Sequence, residues 1–452
     1  MLYIFIAVLI PLCVNGIIRF FKTSKKNITE IPTFFLYFYS GALLFFLYIL
    51  IKGGNHEAWV SAGVGSLWVI GFRLKQKQLP PKISKVSKII YAVAVVALCA
   101  FAYQSAKSYA QTKEGRERIL VWKVTKNLLK EDNPLIGHGY GTFSMRYAYE
   151  QGLYLKSDKA NKDDIIYASA PLNSGSGYLQ SIYEIGFFGC AIFILWIIVS
   201  AIDGTKNRTL GLSGLIISTA TLFIFISPQQ YPILWTIMFI AASIAVSDTN
   251  QQYKGRNYKV PYIGLIMSLA VFLSFYFEYE YVEKYKQWFQ ARQLIENKNY
   301  KMAARRFVEL YPDLNYEPLF LKDGINALQK ANHINEPNIW FRRARRLSFN
   351  PQLFYDASEY RISNKEFGMA EQVLRQTKRA LPAMPKTYIR LMRLYSMPQY
   401  RNVIRFKITY KQLKALNDIP GFKIPDDLEK EAEIMNKNIV IPESFRENKQ
   451  EF

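Results

Sequence analysis

Long apolar runs alternate with short polar breaks as far as Tyr279, and the pattern then changes. Eight runs approach the ~20 residues that a helical bilayer crossing needs. They cover about 2–20, 32–51, 56–72, 85–105, 178–201, 210–227, 229–247 and 260–279. The first has no basic leading segment and no small-residue cleavage site, and it ends in IIRFFKTSKK. It is expected to remain as an anchor rather than be removed as a signal peptide. From residue 281 the apolar positions recur at helical spacing in shorter amphipathic segments. The pattern predicts an all-α protein. Transmembrane helices occupy 1–105 and 178–279, separated by a long external loop, 106–177. A helical-hairpin repeat domain over 280–437 and a tail over 438–452 follow.

Within the C-terminal region, ARQLIENKNYKMAARRFVELYPDL reads as two helices joined at Asn297–Tyr300. Ala291, Tyr300, Ala304, Phe307, Leu310 and Pro312 follow the small/aromatic pattern of a tetratricopeptide unit. Pro312, Pro351 and Pro382 close similar segments at separations of 39 and 31 residues, on either side of the ~34-residue period of such repeats. Arrays of this kind bind partners more often than they catalyse, so a protein partner on this region is expected.

Charge sets the orientation. The segments RFFKTSKKN and RLKQKQLPPKISKVSK, and more weakly DGTKNR and KGRNYK, are basic, whereas KGGNH and SPQQ carry almost no positive charge. The odd-numbered loops are therefore expected in the cytoplasm. Both termini, the 106–177 loop and the C-terminal domain then lie outside it. The net charge of +23 is spread along the chain, with 31 Lys/Arg against 20 Asp/Glu in residues 281–452; no nucleic-acid partner is expected. The run Arg342, Arg343, Arg345 and Arg346 would meet anionic lipid or glycan phosphates, or form a solvated helix face. Cys13, Cys99 and Cys190 all lie in apolar runs, which argues against a disulfide framework. No Cys/His group has metal-ligand spacing, and no metal or other cofactor is expected.

The external loop holds the candidate chemistry. It reads KEGRERILVWKVTKNLLKEDNPLIGHGYGTF from Lys113. Residues 114–130 are expected to be helical, with Arg118 and Trp122 one turn apart on a shared face and Asn133-Pro134 stopping the helix. Gly137, Gly139 and Gly141 allow tight turning and close backbone approach. Successive N–H groups there would form an anion-binding nest; the alternative is a tight connector that packs the helix onto the bundle. A nucleotide P-loop is disfavoured, because the loop is expected outside the cytoplasm, where there is no ATP, and GxxxxGK[ST] is absent.

Arg118-x-x-x-Trp122, then NPLIGHGYGTF, then GYLQSIYEIGFFG at 177–189, resembles the signature of the bacterial O-antigen ligase and O-antigen polymerase family over roughly residues 85–247. The resemblance implies a multi-pass glycosyltransferase of the bacterial inner membrane with its motif loop in the periplasm. Such an enzyme takes an undecaprenyl-pyrophosphate-linked glycan and passes it to lipid A-core or to a lipid-linked repeat; some relatives glycosylate protein. Arginines that neutralise the leaving pyrophosphate are part of that expectation, since guanidinium is always charged and grips phosphate oxygens in a fork. On this reading Arg118 and Glu184 are the candidate catalytic residues. Arg116, Arg146, Gly137, His138, Gly139, Gly141, Tyr178 and Gln180 are candidate substrate contacts.

The sequence departs from the family pattern in two ways. Gly175 and Ser176 stand where ligases commonly have His-Asn, which favours a polymerase or another transferase and leaves Asp163, Asp164 and Glu184 as alternatives for a general base. Only four membrane helices precede the loop. The competing reading is a non-catalytic, membrane-anchored helical-repeat adaptor of an envelope-glycan assembly complex. A transporter is a weaker third, because intramembrane charges are few.

Overall fold

The computed structural model describes residues 2–24, 33–75, 81–131, 135–139, 141–205, 209–226, 232–251, 282–331 and 336–439. Every regular element among them is a helix, as the sequence pattern predicts. The expected span at 260–279 lies outside the described residues. Helix packing divides the chain into two units: Met1–Trp122, Asp132–Gly139 and Asn173–Tyr258 form the first; Lys123–Glu131, Tyr140–Leu172 and Lys259–Phe452 form the second. The 106–177 loop contributes to both.

The first unit contains α1 (Leu2–Ser24), α2 (Thr33–Gly53), α3 (His56–Lys75), α4 (Pro81–Tyr109), the start of α5 (Lys113–Glu131), α7 (Gly177–Thr205), α8 (Leu210–Leu222) and α9 (Pro232–Gln251). Stretches of α1, α2, α4 and α7 are long and apolar enough to cross a membrane. The protein is a multi-pass membrane protein. None of the apolar window of α4 is buried inside the unit, and only 6% of that of α2, so both helices offer their side chains to lipid. The centre is made by α1, α3 and α8, which cross on small residues. A Cβ on Gly65 would stand 2.6 Å from Gly214 O, and one on Gly214 would stand 2.5 Å from Val69 Cγ2. Ser61 Oγ donates to Ser218 O at 2.6 Å, and Trp68 Nε1 donates to Ser213 Oγ at 2.7 Å. Small residues and hydroxyls that let helices approach are the usual means of packing where lipid removes the hydrophobic drive between helices.

The second unit is a succession of short helices, each packed on its neighbours in the chain. It runs from α10 (282–296) through α11 (Tyr300–Leu314), α12 (Pro318–Lys330), α13 (Glu336–Leu347), α14 (Pro351–Ser363), α15 (Phe367–Ala380), α16 (Pro385–Ser396) and α17 (Val403–Lys414) to α18 (Asp426–Asn438). The repeat is clearer here than in the sequence. Pro318, Pro351 and Pro385 each open a helix at its first turn, where a missing N–H is harmless; they are 33 and 34 residues apart. Of the three prolines aligned from sequence, only Pro351 holds such a place. Pro312 lies within α11, and Pro382 lies in the turn before α16. The turns before α11 and α15 also match, each with a lysine at positive φ, Lys298 at 60° and Lys365 at 61°. Aromatic side chains fill the layers: Phe307, Phe320, Trp340, Phe341 and Phe354 are all buried. In the arginine run, Arg342, Arg343 and Arg346 are exposed, and two of the four arginines contact neighbouring helices. Arg343 Nη2 donates to Asn315 Oδ1 at 3.1 Å, and Arg345 donates to Gln376 and lies over the Phe354 ring.

Part of the 106–177 loop belongs to this array. Helix α6 (Phe143–Tyr154) packs on α13 and α15. Ala148 is buried in the same apolar cluster as Phe341 and Ala380. Gln151, fully buried, donates from Nε2 to Ala380 O at 2.7 Å and to Ser169 O at 3.0 Å, and accepts from Tyr147 Oη at 2.8 Å. A Cβ on Gly152 would stand 2.8 Å from Arg379 Cγ.

Candidate functional site

Arg118 is placed by the junction of α4 and α5. Thr112 caps α5, its Oγ1 accepting from Gly115 N at 3.0 Å and donating to Tyr109 O at 2.8 Å. A Cβ on Gly115 would fall 1.8 Å from Tyr109 O, so glycine lets α5 start directly against the end of α4. One turn further, the Arg118 guanidinium lies 5.1 Å from the Tyr109 ring centroid, a cation–π distance. Its Nη1 is 2.5 Å from Glu57 Oε1, with the two side chains 24% and 20% exposed. Glu57 sits in the first turn of α3, which Asn55 caps by accepting from Ala58 N at 2.8 Å. The carboxylate is thus held on a fixed helix end, not on a loop. Glu57 is the residue that sequence reasoning missed.

The stretch before α7 lies against this pair. A Cβ on Gly175, whose φ is +69°, would stand 3.8 Å from Arg118 Cγ and Nε. Gly175 N donates to Asn173 Oδ1 and Ser174 Oγ donates to Ser176 O, which folds NSGSG into a compact turn. Ser174 N donates to Gln180 Oε1 at 2.8 Å, and Gln180 Nε2 donates to Glu184 Oε1 at 2.8 Å. Gln180 and Glu184 are both buried. Gln180 thus ties the turn to Glu184, and the turn lies beside the Glu57–Arg118 pair. Tyr178, by contrast, spends its hydroxyl on the bundle, donating to Ala220 O at 2.9 Å.

The glycine turn closes the arrangement from the other side. Helix α7 is broken at Gly186, where φ is 78° and ψ is 172°. The break frees backbone groups, and the turn takes them up. His138 N donates to Tyr183 O at 2.9 Å, Gly139 N to Glu184 O at 3.0 Å, and Phe188 N to Leu135 O at 3.3 Å. The His138 ring stacks on Tyr183 at 4.7 Å and 13°. Two N–H groups that a nest would have used are thus committed to α7, and the turn acts as the connector that fixes the broken helix. Gly137 is needed for close approach, and Gly139 for its φ of +87° with open space beyond it.

Of the sequence candidates, Arg118, Gln180, Glu184, Gly137, His138, Gly139 and Tyr178 fall in the first unit, together with Arg116, which is exposed on α5. Arg146 and Gly141 belong to the second unit, and both are exposed. Asp164 is buried there, 3.6 Å from Lys123 Nζ, and closes a capping turn on Asn161. The Trp122 indole nitrogen, one turn beyond Arg118, is buried without a hydrogen-bond partner among the described residues.

The ends of the helices that carry these groups meet on one side of the bundle. Arg118 joins the α4–α5 connection to the start of α3, and Gly177 N donates to Phe223 O at 2.7 Å, joining the start of α7 to the end of α8. Residues 40–194 match the family model described as O-antigen ligase. This part of the chain is similar to the O-antigen ligase family. The matched segment begins upstream of the region that carries the motifs, so it takes in Glu57 as well as Arg118, the glycine turn, Gln180 and Glu184. It stops inside α7 and, of the helical array, includes α6 but none of α10 to α18. No curated protein and no solved structure matches the chain.

Proposed function

We propose that the protein transfers a glycan from undecaprenyl pyrophosphate to an acceptor hydroxyl at the periplasmic face of the bacterial inner membrane, in the synthesis of a surface polysaccharide. The acceptor oxygen forms a bond to the anomeric carbon while the bond from that carbon to the pyrophosphate breaks. The pyrophosphate departs with the electron pair, and the acceptor's proton passes to a base. The observation that carries the reading is Arg118, a permanent cation fixed by Glu57 and Tyr109 against the turn that opens α7. Charge developing on a leaving pyrophosphate is best met by a cation already in position. Glu184, buried in a helix long and apolar enough to span the membrane and joined through Gln180 to the turn beside Arg118, is the candidate base. Gly175 and Ser176 in place of His-Asn favour a lipid-linked repeat as acceptor over lipid A-core. The C-terminal array we read as tetratricopeptide-like, on the 33- and 34-residue spacing of its helix-opening prolines.

The experiment is deletion of the gene followed by a gel of surface polysaccharide. Loss of the length ladder with single repeats on the core identifies a polymerase. Bare core with accumulated lipid-linked polymer identifies a ligase. An unchanged glycan profile overturns the proposal. Alkaline-phosphatase fusions test the side: activity after Lys130 and inactivity after Lys77 are expected, and an inactive Lys130 fusion removes the site from the periplasm.

A further inference from the structure

We propose that the concave surface between α12 and α14 is a binding site for a neutral glycan chain. The inference concerns the second unit alone, and it takes the nature of its ligand from the transfer reaction proposed above.

The sequence makes the surface by spacing. On α12, Asp323, Asn326 and Gln329 recur every three residues; on α14, Gln352, Asp356 and Glu359 recur at four and three. Each set lies on one helix face. These are alternate helices of the array, and their polar faces line a shared cavity of about 930 Å³, within the range of small-ligand sites.

Its chemistry is selective. The carboxylates of Asp323, Asp356 and Glu359 outnumber the single lysine of the lining, Lys322, in a chain whose net charge is +23. Burial pushes the carboxyls of Asp323 and Asp356 up from their usual value, and further negative charge would be unfavourable there. Phosphate and acidic sugars are therefore poor ligands. The aliphatic side chains in the lining, Ile325 and Leu353, are each 2% exposed, so they offer little hold to a peptide's apolar side chains.

The amides decide between the remaining ligands. Asn326 and Gln329 make no side-chain hydrogen bond among the described residues, and Gln352 uses one amide hydrogen, donated to Asp356 Oδ1 at 2.7 Å. Each amide offers donors as well as an acceptor, whereas Lys and Arg side chains only donate. The cationic side chains of a basic peptide would satisfy the carboxylates but could not accept from the amide hydrogens. Sugar hydroxyls both donate and accept, so they satisfy amides and carboxylates together. Asp323 is already oriented, accepting from Trp288 Nε1 at 3.2 Å, and Glu359 is tied to Arg390. The surface is largely preformed.

The test uses the full chain in nanodiscs. The probe is the neutral fraction of end-labelled oligosaccharides released by mild acid from the producing strain's surface polysaccharide. Saturable binding is expected, weakened about tenfold or more in the double variant N326A/Q329A, which removes one exposed and one half-buried side chain with several hydrogen bonds to a ligand. R118A, in the other unit, should bind the probe as the unaltered protein does. An octalysine peptide that binds in its place, with dependence on Asp323 and Asp356, would overturn the glycan assignment. Absence of saturable binding, or binding unmoved in N326A/Q329A, would also overturn it. Binding that is lost in the double variant while the deletion strain keeps its normal surface glycan would uphold this site and sink the transfer reaction. A confirmed transferase that fails to bind the probe would sink this site alone.

Discussion

Gly137 and Gly186 face one another so closely that neither has room for a side chain. A Cβ on Gly137 would lie 2.5 Å from Gly186 N and Glu184 O, and a Cβ on Gly186 would lie 2.2 Å from Leu135 O. Both glycines also have positive φ, 82° and 78°. The fit accounts for the way a transmembrane helix tolerates a break: the carbonyls released at Tyr183 and Glu184 are paired by the turn rather than left bare. Gly137→Ala and Gly186→Ala should therefore each sharply lower the yield of folded protein and its thermal midpoint in detergent. Gly139→Ala meets open space and should lose only about 1–2 kcal/mol through its left-handed backbone. A Gly186→Ala protein as stable as Gly139→Ala would show that the close approach is not real.

Four of the eight expected spans, those of α1, α2, α4 and α7, are long and apolar enough among the described residues to cross a membrane, because an unbroken apolar run of bilayer length is rarely anything but a membrane helix; α7 forms over Gly177–Thr205 against an expected 178–201, whereas α8 ends at Leu222 against an expected 227. Its internal break was not legible. Glu184-Ile185-Gly186 sits in a continuous apolar pattern, and only the glycine, an isolated breaker inside a helical run, marked the place. Glu57 was hidden for a different reason. An acidic residue in the first turn of a helix ordinarily complements the helix dipole, so its position alone does not mark it as an ion-pair partner. The available signal was topological: the connection before α3 and the loop holding Arg118 are both even-numbered and are expected on one side of the membrane. The repeat period was blurred at the segment ends, whose prolines are irregularly spaced, whereas the regular prolines open helices.

Gln151 tests the attachment of α6 to the helical array. Its side chain bridges Tyr147, Ser169 and Ala380 in a fully buried position. Gln151→Leu keeps the bulk but strips partners from two carbonyls and a hydroxyl, each unmet group costing about 1–3 kcal/mol. Hydrogen exchange should accelerate over 143–172 and at the end of α15, with the first unit unaffected. By the same reasoning, residues 285–440 expressed alone should be less stable than a protein that retains 123–172. Equal exchange in the variant and the unaltered chain would mean that α6 is not docked.

Glu371 gives a pH prediction. Burial alone would raise its carboxyl pKa, but hydrogen bonds from the Tyr400 and Tyr395 hydroxyls and the charges of Arg375 and Arg405 outweigh it and hold the group below its usual value of 4.5. A depressed folded-state pKa means that the ion contributes stability above the unfolded value, and that this contribution is lost as pH falls through the folded value. The array should therefore loosen around α15–α17 as pH drops below 4.5, seen as faster local hydrogen exchange. Glu371→Gln should be less stable at neutral pH and should lose most of this acid dependence. An unchanged acid response in the variant would assign the effect to other carboxylates.

Glu184 separates a base from a structural link. Its Oε1 accepts from Gln180 Nε2, and the amide oxygen of Glu184→Gln can accept the same bond. If the carboxylate takes the acceptor's proton, the variant should fold and bind donor while its turnover falls by about 10²–10⁴. If it only holds Gln180 in place, turnover should stay near normal.

Arg118 and Glu57 carry the last prediction, read in a purified transfer assay and by complementation of the deletion strain. Arg118→Ala should lose about 2–4 kcal/mol of transition-state stabilisation, by comparison with a deleted oxyanion donor. Arg118→Lys keeps the charge but not the planar fork, so it should remain impaired. Glu57→Gln acts through the guanidinium that Glu57 holds at 2.5 Å. With its charge gone, a pyrophosphate donor meets less repulsion and its KM should fall, while kcat should fall too because the fork is no longer fixed. A residue that merely stabilised the fold would lower protein level without moving the two parameters in this way. Full complementation by Arg118→Ala at normal expression would reduce Arg118 to an interfacial anchor and make the non-catalytic adaptor the better account of the protein.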